Sequence, residues 1–419
     1  MMASVRERSG LVLFFLAVLV GSAAAVRAEE VERMLTPLTV TAVIAIVIGE
    51  QMPMQISQRV IAPLTMAPAL GLILAPIHPG PHTLSASTVL AVVWLSILVG
   101  GLIARLRGSL VIEGSMGARL LGLAVTAVLA RGVVIDGQNL VDKAFEAGTS
   151  PGLGAVGLLG AAVAGGLTER ILENLMRLGD GKSPVAVVSA EIGPLAGISA
   201  ASVSTGPVIA VASQVVDWAA IPLFLIPVLL TYISVRRVVG IRQAFDQSLL
   251  AMSHLSELND LTRRGHARRV ADLAVAIGRE MNVDVMTLRD LESTALLHDV
   301  GQLGLDQPLR GGATIHASVG EQEQMMRATV QVIGDSPQLA PLIPLLDQVR
   351  TPFRQTREFG EHIPLTSRIV RVANAWYDIT EGARSGPVRN VALERIQLGL
   401  GYDYDPEVVA ALERVVAAS

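Results

Sequence analysis

The first half of the chain is a series of apolar stretches separated by short polar segments. A helix needs roughly 20 mostly apolar residues to cross the hydrocarbon core of a bilayer. Eight stretches approach that length, and we predict six to eight transmembrane helices, the second and seventh stretches being the weakest. The stretches are Leu11 to Val26, Leu38 to Ile48, Val60 to Ile77, Leu90 to Ile103, Leu120 to Ile135, Leu153 to Gly166, Val185 to Ala212 and Ala219 to Val235.

From Ile241 onward the pattern becomes amphipathic, with apolar residues three and four positions apart, which predicts helices that pack on a core. The first, from Ile241 to Leu261, would connect to the last span. Gly301 is expected to end the helix that begins at Val285, as a left-handed cap. The later helices are predicted at His266 to Met281, Val285 to Asp299, Ser318 to Ile333, Pro364 to Ile379, Val391 to Gly399 and Pro406 to Ala417.

The second half has no long alternating pattern of the kind that predicts a strand. The sequence therefore predicts an all-α protein in three parts. Residues 1–237 form a polytopic helical membrane domain, residues 238–262 a connector helix, and residues 263–419 an all-helical soluble domain.

Composition agrees with a membrane protein and excludes several classes of function. Hydrophobic residues make up 51% of the 419 residues and charged residues 17%, and the mean hydropathy is +0.53. The formal net charge of −4 argues against nucleic acid as a partner. The absence of cysteine excludes disulfides, a thiolate metal site and a cysteine nucleophile.

The distribution of arginine predicts the orientation in the cell membrane. Basic residues favour the cytoplasmic side, and with eight spans the arginines listed below all fall on one side, so the soluble domain would be cytoplasmic. Arg6 and Arg8 before an apolar run that ends near Ala23 to Ala28 also permit a cleaved secretory signal. The arginines are Arg6, Arg8, Arg105, Arg107, Arg170, Arg177, Arg236 and Arg237.

Ionisable residues in the membrane half would mark a transport path if they were buried. The candidates are Glu50, Arg131, Glu191 and Asp217, which lie near predicted span ends or in the seventh stretch. This position favours an anchor or sensor over a transporter.

The chemistry of the second half centres on two histidines. His298 and Asp299 end a buried helix in Leu296-Leu297-His298-Asp299-Val300-Gly301. His266 opens a helix some thirty residues earlier, in Gly265-His266-Ala267-Arg268-Arg269-Val270. Imidazole and carboxylate groups are ligands for divalent cations, so the three side chains could hold one ion.

This order of motifs resembles the HD superfamily of metal-dependent phosphohydrolases, over about residues 245 to 415. The stretch from Ile369 to Asp378 is similar to the helix that carries a further ligand in that family, and Ile363-Pro364-Leu365 resembles the HD-GYP branch. The resemblance implies a divalent ion (Mn, Fe or Mg) and a nucleotide, cyclic dinucleotide or other phosphate ester as substrate.

The chain departs from the HD-GYP pattern at several positions. Gln302 stands where that branch has lysine, and Thr329 ends a run that should end in histidine. Asp347-Gln348-Val349-Arg350 occupies the place of paired histidines, and Asn374 that of an aspartate. We therefore expect at most one ion, with Asp378 one helical turn beyond Asn374 as a possible substitute.

The expected roles follow from the resemblance and from the residue types. The ion would be held by His266, His298, Asp299 and Asn374. Asp299 would also orient the attacking water, and His316 in the following loop would protonate the leaving group. Substrate phosphate would contact Gln302, Arg350, Arg354 and Arg357.

Two alternatives to an enzyme stay open. The second half could be a catalytically inactive receptor that senses through the membrane part, or the regulatory tail of a transporter. In each case the Ile241 to Leu261 helix could pair two chains into a homodimer.

Overall fold

A computed structural model gives the fold of the chain as two compact units, residues 1–240 and 241–419. The boundary lies three residues from the predicted end of the membrane domain. The structure describes residues 2–29, 31–56, 59–77, 84–109, 112–135, 137–146, 150–178, 194–259, 261–305, 307, 309, 318–380 and 386–417.

The first unit is a helical bundle with two short antiparallel hairpins. The strands are β1 (Met54–Ile56) with β2 (Arg59–Ile61), and β3 (Val134–Ile135) with β4 (Gln138–Asn139). The helices are α1 (Met2–Val26), α2 (Pro37–Glu50), α3 (Pro63–Leu74), α4 (Ala86–Leu106), α5 (Glu113–Ala127), α6 (Leu140–Ala144), α7 (Pro151–Leu178), α8 (Pro194–Val216) and α9 (Ala220–Leu258).

Several helices of this unit are long and apolar enough to cross a membrane, which indicates a membrane protein. Five such segments occur in the described residues, and the last contains α8 and α9. They are Ser9–Val26, Ala86–Leu106, Glu113–Gly132, Gly152–Met176 and Gly197–Leu258.

Neither the second nor the third apolar stretch forms a helix of transmembrane length. Helix α2 has 14 residues and α3 has 12. The predicted span from Val60 to Ile77 is wrong as a single helix, because its first residues belong to β2 and Pro63 starts α3. At 1.5 Å per residue α3 is about 18 Å long, well short of the hydrocarbon thickness. All its residues are buried.

Helix α5 continues into a wider π-helical turn, Val128–Gly132, which carries Arg131. Arg131 is 4% exposed. Its Nε donates to the carbonyl of Ile73 at 2.6 Å and a terminal nitrogen to that of Leu84 at 2.9 Å. The other terminal nitrogen donates to Ala75. Arg131 therefore supplies donors to two carbonyls at the C-terminal end of α3, which has no further turn to satisfy them, and to the carbonyl of Leu84 just before α4.

The second unit is helical throughout its described part. Its helices are the end of α9, then α10 (His266–Glu280), α11 (Val285–Leu297), α12 (Val319–Ile333), α13 (Ile343–Gln348), α14 (Arg354–Phe359), α15 (Leu365–Thr380), α16 (Gly386–Leu398) and α17 (Pro406–Ala417). The core includes Ile277 of α10, Leu291 of α11, Val370 of α15 and Leu412 of α17, all almost fully buried.

The predicted last span and the predicted connector helix are one helix, because α9 runs without a break for 39 residues. The prediction that Gly301 is a left-handed cap is wrong. Gly301 lies in a 3-10 turn, Val300–Gly304, and has no positive φ. A Cβ at this position would lie 2.3 Å from the carbonyl oxygen of Met325. Gly301 is thus required for close packing against α12.

Candidate metal centre

Three helices bring the candidate ligands together. His266 is the first residue of α10, and Gly265 before it adopts a left-handed conformation, with φ of 71°. His298 and Asp299 directly follow α11, and Asn374 lies in the middle of α15. All four side chains are buried, so the packing of α10 and α15 on α11 fixes their positions.

Four polar atoms meet at one point. His266 Nε2 lies 3.0 Å and His298 Nε2 3.2 Å from Asn374 Oδ1. Asp299 Oδ2 lies 3.1 Å from His298 Nε2 and 3.4 Å from His266 Nε2. Candidate ligand atoms of the two histidines and Asp299 all lie within 4.8 Å of one another. The two rings can therefore share one ion, as the sequence predicts.

The tautomer of His298 is fixed by the backbone. His298 Nδ1 lies 2.7 Å from the carbonyl oxygen of Ala295, one turn earlier in α11. A carbonyl oxygen only accepts hydrogen bonds, so Nδ1 carries the proton. In neutral His298, Nε2 therefore presents a lone pair to the point where the four atoms meet, which is the arrangement of a metal ligand.

Two further side chains orient the oxygens. The Gln302 amide donates to Asp299 Oδ1 at 2.7 Å, which leaves Oδ2 facing the histidines. The Asn374 amide nitrogen donates to Asp378 Oδ2 at 3.2 Å, so Asn374 Oδ1 faces the histidines. Both partners act as outer supports of the kind that fix metal ligands.

Burial and the Asp299 carboxylate shift the titration of the centre. Burial lowers the pKa of His266, which favours the neutral ligand form. Burial also disfavours charge on His298, but the adjacent Asp299 carboxylate outweighs it and raises the His298 pKa to about 9. Burial opposes ionisation of Asp299, but charged His298 outweighs it and lowers the Asp299 pKa to about 2. Burial, and then the charge of Asp299, raise the pKa of Asp378 to about 7.

These atoms fit a small cation. Asp299 Oδ2 is buried and has no hydrogen-bond donor, and the Asn374 oxygen and the His298 lone pair face the same point. Acceptors that face one another in a low-dielectric interior repel unless a positive charge lies among them. Either a proton on His298 or a metal ion supplies that charge. Two imidazoles, one carboxylate and one amide oxygen form a ligand set that divalent transition metals accept.

The other predicted site residues lie in different surroundings, and only some of them are near the centre. Gln302 is fully buried behind Asp299. The Arg354 guanidinium stacks 4.3 Å from the Tyr402 ring, and exposed Arg357 pairs with Glu358. His316 lies outside the described residues. In the described part of the chain, Arg354 and Arg357 thus contact Tyr402 and Glu358 and not the four residues of the centre.

Arg350 lines a cavity of about 550 Å³. Its guanidinium donates to the carbonyl of Gln322 at 2.8 Å. Burial lowers its pKa, while the nearby Asp299 charge acts in the opposite direction. Arg371 holds the Arg350 backbone carbonyl at 2.7 Å. The cavity lining includes Gln322, Glu323, Arg327, Asp347, Gln355 and Glu361.

The orienting role of Gln302 and the Ala295 carbonyl are features that sequence reasoning missed. Position 302 follows Asp299 by three residues, which in a tight helical turn brings the two side chains together. That spacing was the available signal for a contact with Asp299.

No protein-family model, no curated protein and no solved structure matches this chain. The function therefore has to be argued from the geometry of the site.

Proposed function

We propose that the chain is a membrane-anchored, metal-dependent phosphohydrolase whose second unit acts on a nucleotide or another phosphate ester. The observation that carries the proposal is the convergence of two imidazole nitrogens, a carboxylate oxygen and an amide oxygen on one buried point. The resemblance of the His266, His298 and Asp299 motifs to the HD superfamily gives the reaction class.

His266, His298, Asp299 and Asn374 would hold one divalent ion. When bound there, such an ion lowers the pKa of a coordinated water and polarises a phosphoryl oxygen. Asp299 keeps one oxygen on Gln302, which fixes the carboxylate in the orientation that ligation requires. The Ala295 carbonyl keeps the His298 proton on Nδ1 and so leaves Nε2 available as a ligand.

Arg350 is the side chain best suited to receive the substrate phosphate. It lines the cavity, lies within range of the Asp299 charge, and has its backbone fixed by Arg371. A guanidinium pairs with phosphate oxygens through parallel hydrogen bonds. The cavity is large enough for a small phosphorylated molecule, and its other polar side chains could contact the organic part.

The test uses the full-length chain in detergent, with metal content measured after purification. Hydrolysis of bis(p-nitrophenyl) phosphate and of a cyclic dinucleotide is then followed with Mn, Fe and Mg. We expect about one ion per chain and metal-dependent release of product. His298→Ala and Asp299→Ala should lower metal affinity by more than about 100-fold, beyond the usual effect of losing an outer support.

His254→Ala is the matched control, because His254 is an exposed histidine in α9. It should retain metal and activity. Wild-type protein without bound metal and without turnover under any of the three metals would refute the hydrolase.

A second candidate is a catalytically inactive receptor that binds the ion as a structural element or a signal. One observation favours it: Asn374 contributes a neutral oxygen where a carboxylate would bind the ion more strongly. Asn374→Asp distinguishes the two candidates. A receptor should gain metal affinity and remain inactive, whereas an enzyme should keep or increase turnover.

The cytoplasmic position of the second unit and the pairing of two chains stay predictions. Protease accessibility of the second unit in inverted vesicles tests the first.

A further inference from the structure

One face of α9 is exposed and uncharged along its last 18 residues, Ile241 to Leu258, which belong to the second unit. Six exposed residues without charge recur there at intervals of three, four, three, four and three positions. Ile241 is 70% exposed, Leu255 42% and Leu258 75%, and the residues between them are small. We call this set the α9 seam: Ile241, Ala244, Ser248, Ala251, Leu255 and Leu258.

The other side of the same helix is covered by the second unit. Leu249 is part of the core of that unit, and Phe245 and Met252 pack against the core. Ser253 and Ser256, four and seven residues after Leu249, are buried as well. Because the buried residues recur at helical spacing on their own side, the packing of α9 on the second unit turns the seam outward.

The seam differs from the exposed side of α10, the next helix of the same unit. Every exposed residue of α10 is charged, as expected for a helix face that contacts water. Between Gln247 and Leu258 of α9, no exposed residue is acidic and none is arginine or lysine. An exposed apolar face without charges indicates a surface that a partner covers. The exposed residues of α10 are Arg268, Asp272, Arg279 and Glu280.

The spacing of the seam is that of the a and d positions of a coiled coil, where two helices pack side by side. Small residues in the middle of the seam let two backbones approach closely. The neighbouring e and g positions are uncharged too, so two identical helices would meet no like charges. These e and g residues are Gly240, Phe245, Gln247, Met252 and His254.

The continuity of α9 with the membrane unit favours a second copy of the chain as the partner. The helix runs without a break from Ala220, within a segment that is apolar enough to cross a membrane. Arg236 and Arg237 end the apolar part just before the seam. Copies inserted in one bilayer have the same orientation, so their seams leave the membrane in the same direction and at the same height.

We propose that the α9 seam joins two copies of the chain as a parallel, in-register pair of helices. In this arrangement Ile241 and Leu255 each contact the same residue of the other copy, and the small residues lie opposite one another. An antiparallel pair would require opposite orientations in the membrane. The interface depends neither on the metal centre nor on hydrolysis.

The experiment is cysteine cross-linking, to which the chain is suited because it contains no cysteine. Full-length Ala244→Cys and Ala251→Cys proteins are reconstituted at low density in liposomes and oxidised with copper phenanthroline. A disulfide requires Cβ atoms about 4 Å apart, so both variants should form covalent dimers. Gln243→Cys and Asp246→Cys lie on other sides of α9 and are also exposed. These controls should cross-link at least about tenfold less.

A second variant breaks the pair without changing the core. Leu255→Glu in the Ala244→Cys protein sets two like charges against each other and should lower cross-linking at least about tenfold. Leu255→Met keeps an apolar side chain and should keep the cross-link. Absence of dimers in both seam variants overturns the proposal, as does equal cross-linking at Asp246→Cys. Undiminished cross-linking in monodisperse Leu255→Glu protein also overturns it.

Discussion

The two units bury polar side chains in opposite ways. In the first, the nitrogens of Arg131 donate to the backbone carbonyls of Ile73, Ala75 and Leu84. In the second, polar atoms of His266, His298, Asp299 and Asn374 converge on one point. Arg131 is complementary to its surroundings as folded, whereas the four-residue centre becomes complementary only with an added positive charge, either a proton on His298 or a metal ion.

Burial of polar groups is therefore not by itself a sign of function. A buried donor among acceptors is explained by the fold it stabilises, while a set of acceptors without donors is explained by what it binds. The contrast predicts that loss of Arg131 changes only the stability of the protein. It also predicts that the candidate metal centre responds to metal, chelator and pH.

The largest expected effect is the loss of Arg131. Arg131→Met keeps much of the side-chain volume but removes the Arg131 donors to the carbonyls of Ile73, Leu84 and Ala75, of which Ala75 keeps the Ile77 amide as a donor. This loss should destabilise the protein by about 3 kcal/mol. The midpoint of thermal unfolding in detergent should fall, and a chelator should leave that difference unchanged. Arg107→Met, at an exposed position after α4, is the matched control and should unfold like wild type.

A smaller effect, on metal affinity, is expected from the loss of Gln302, which supports Asp299. Gln302→Met removes the donor to Asp299 Oδ1 in a fully buried position. Loss of such an outer support should weaken metal affinity by about 10- to 100-fold. Titration calorimetry with Mn measures the change, and Gln331→Met at an exposed position of α12 should bind like wild type. Unchanged affinity in Gln302→Met would mean that Asp299 is held by its packing alone.

The smallest effect, counted per pH unit, is the change of metal affinity with pH. In the metal-free protein the His298 pKa is raised to about 9, so the stability of its charged pair with Asp299 is lost as pH rises through that value. Metal binding has the opposite sign, because the ion must displace the Nε2 proton. Affinity should rise about tenfold per pH unit from neutral pH and level off above the His298 pKa. Calorimetry in two buffers counts the released proton, and pH-independent affinity would contradict this assignment.

Sequence periodicity predicted most of the second unit, because its helices have clear apolar faces. The predicted helices from His266 and from Pro406 match α10 and α17 within one residue. In the first unit, hydropathy did not predict the element boundaries where a long apolar run contains more than one element. The stretch from Val60 to Ile77 divides between β2 and α3, since hydropathy measures burial but not backbone conformation.

The sequence identified the four side chains that meet at the candidate site, but not the groups that support them. His266, His298, Asp299 and Asn374 were identified from their order along the chain, and the helices bring them together. The contact of Gln302 with Asp299 depends on the turn after α11, and the hydrogen bond from Asn374 to Asp378 on the orientation of an amide.

The brevity of α3 has a consequence for how the membrane unit is assembled. A helix of 12 apolar residues is too short to cross a bilayer as an independent inserted segment, and all its residues are covered by protein. The buried position that α3 occupies forms only after the surrounding helices have assembled. During biogenesis α3 should therefore enter the bilayer late, and Arg131 would secure its far end once the neighbouring helices are in position.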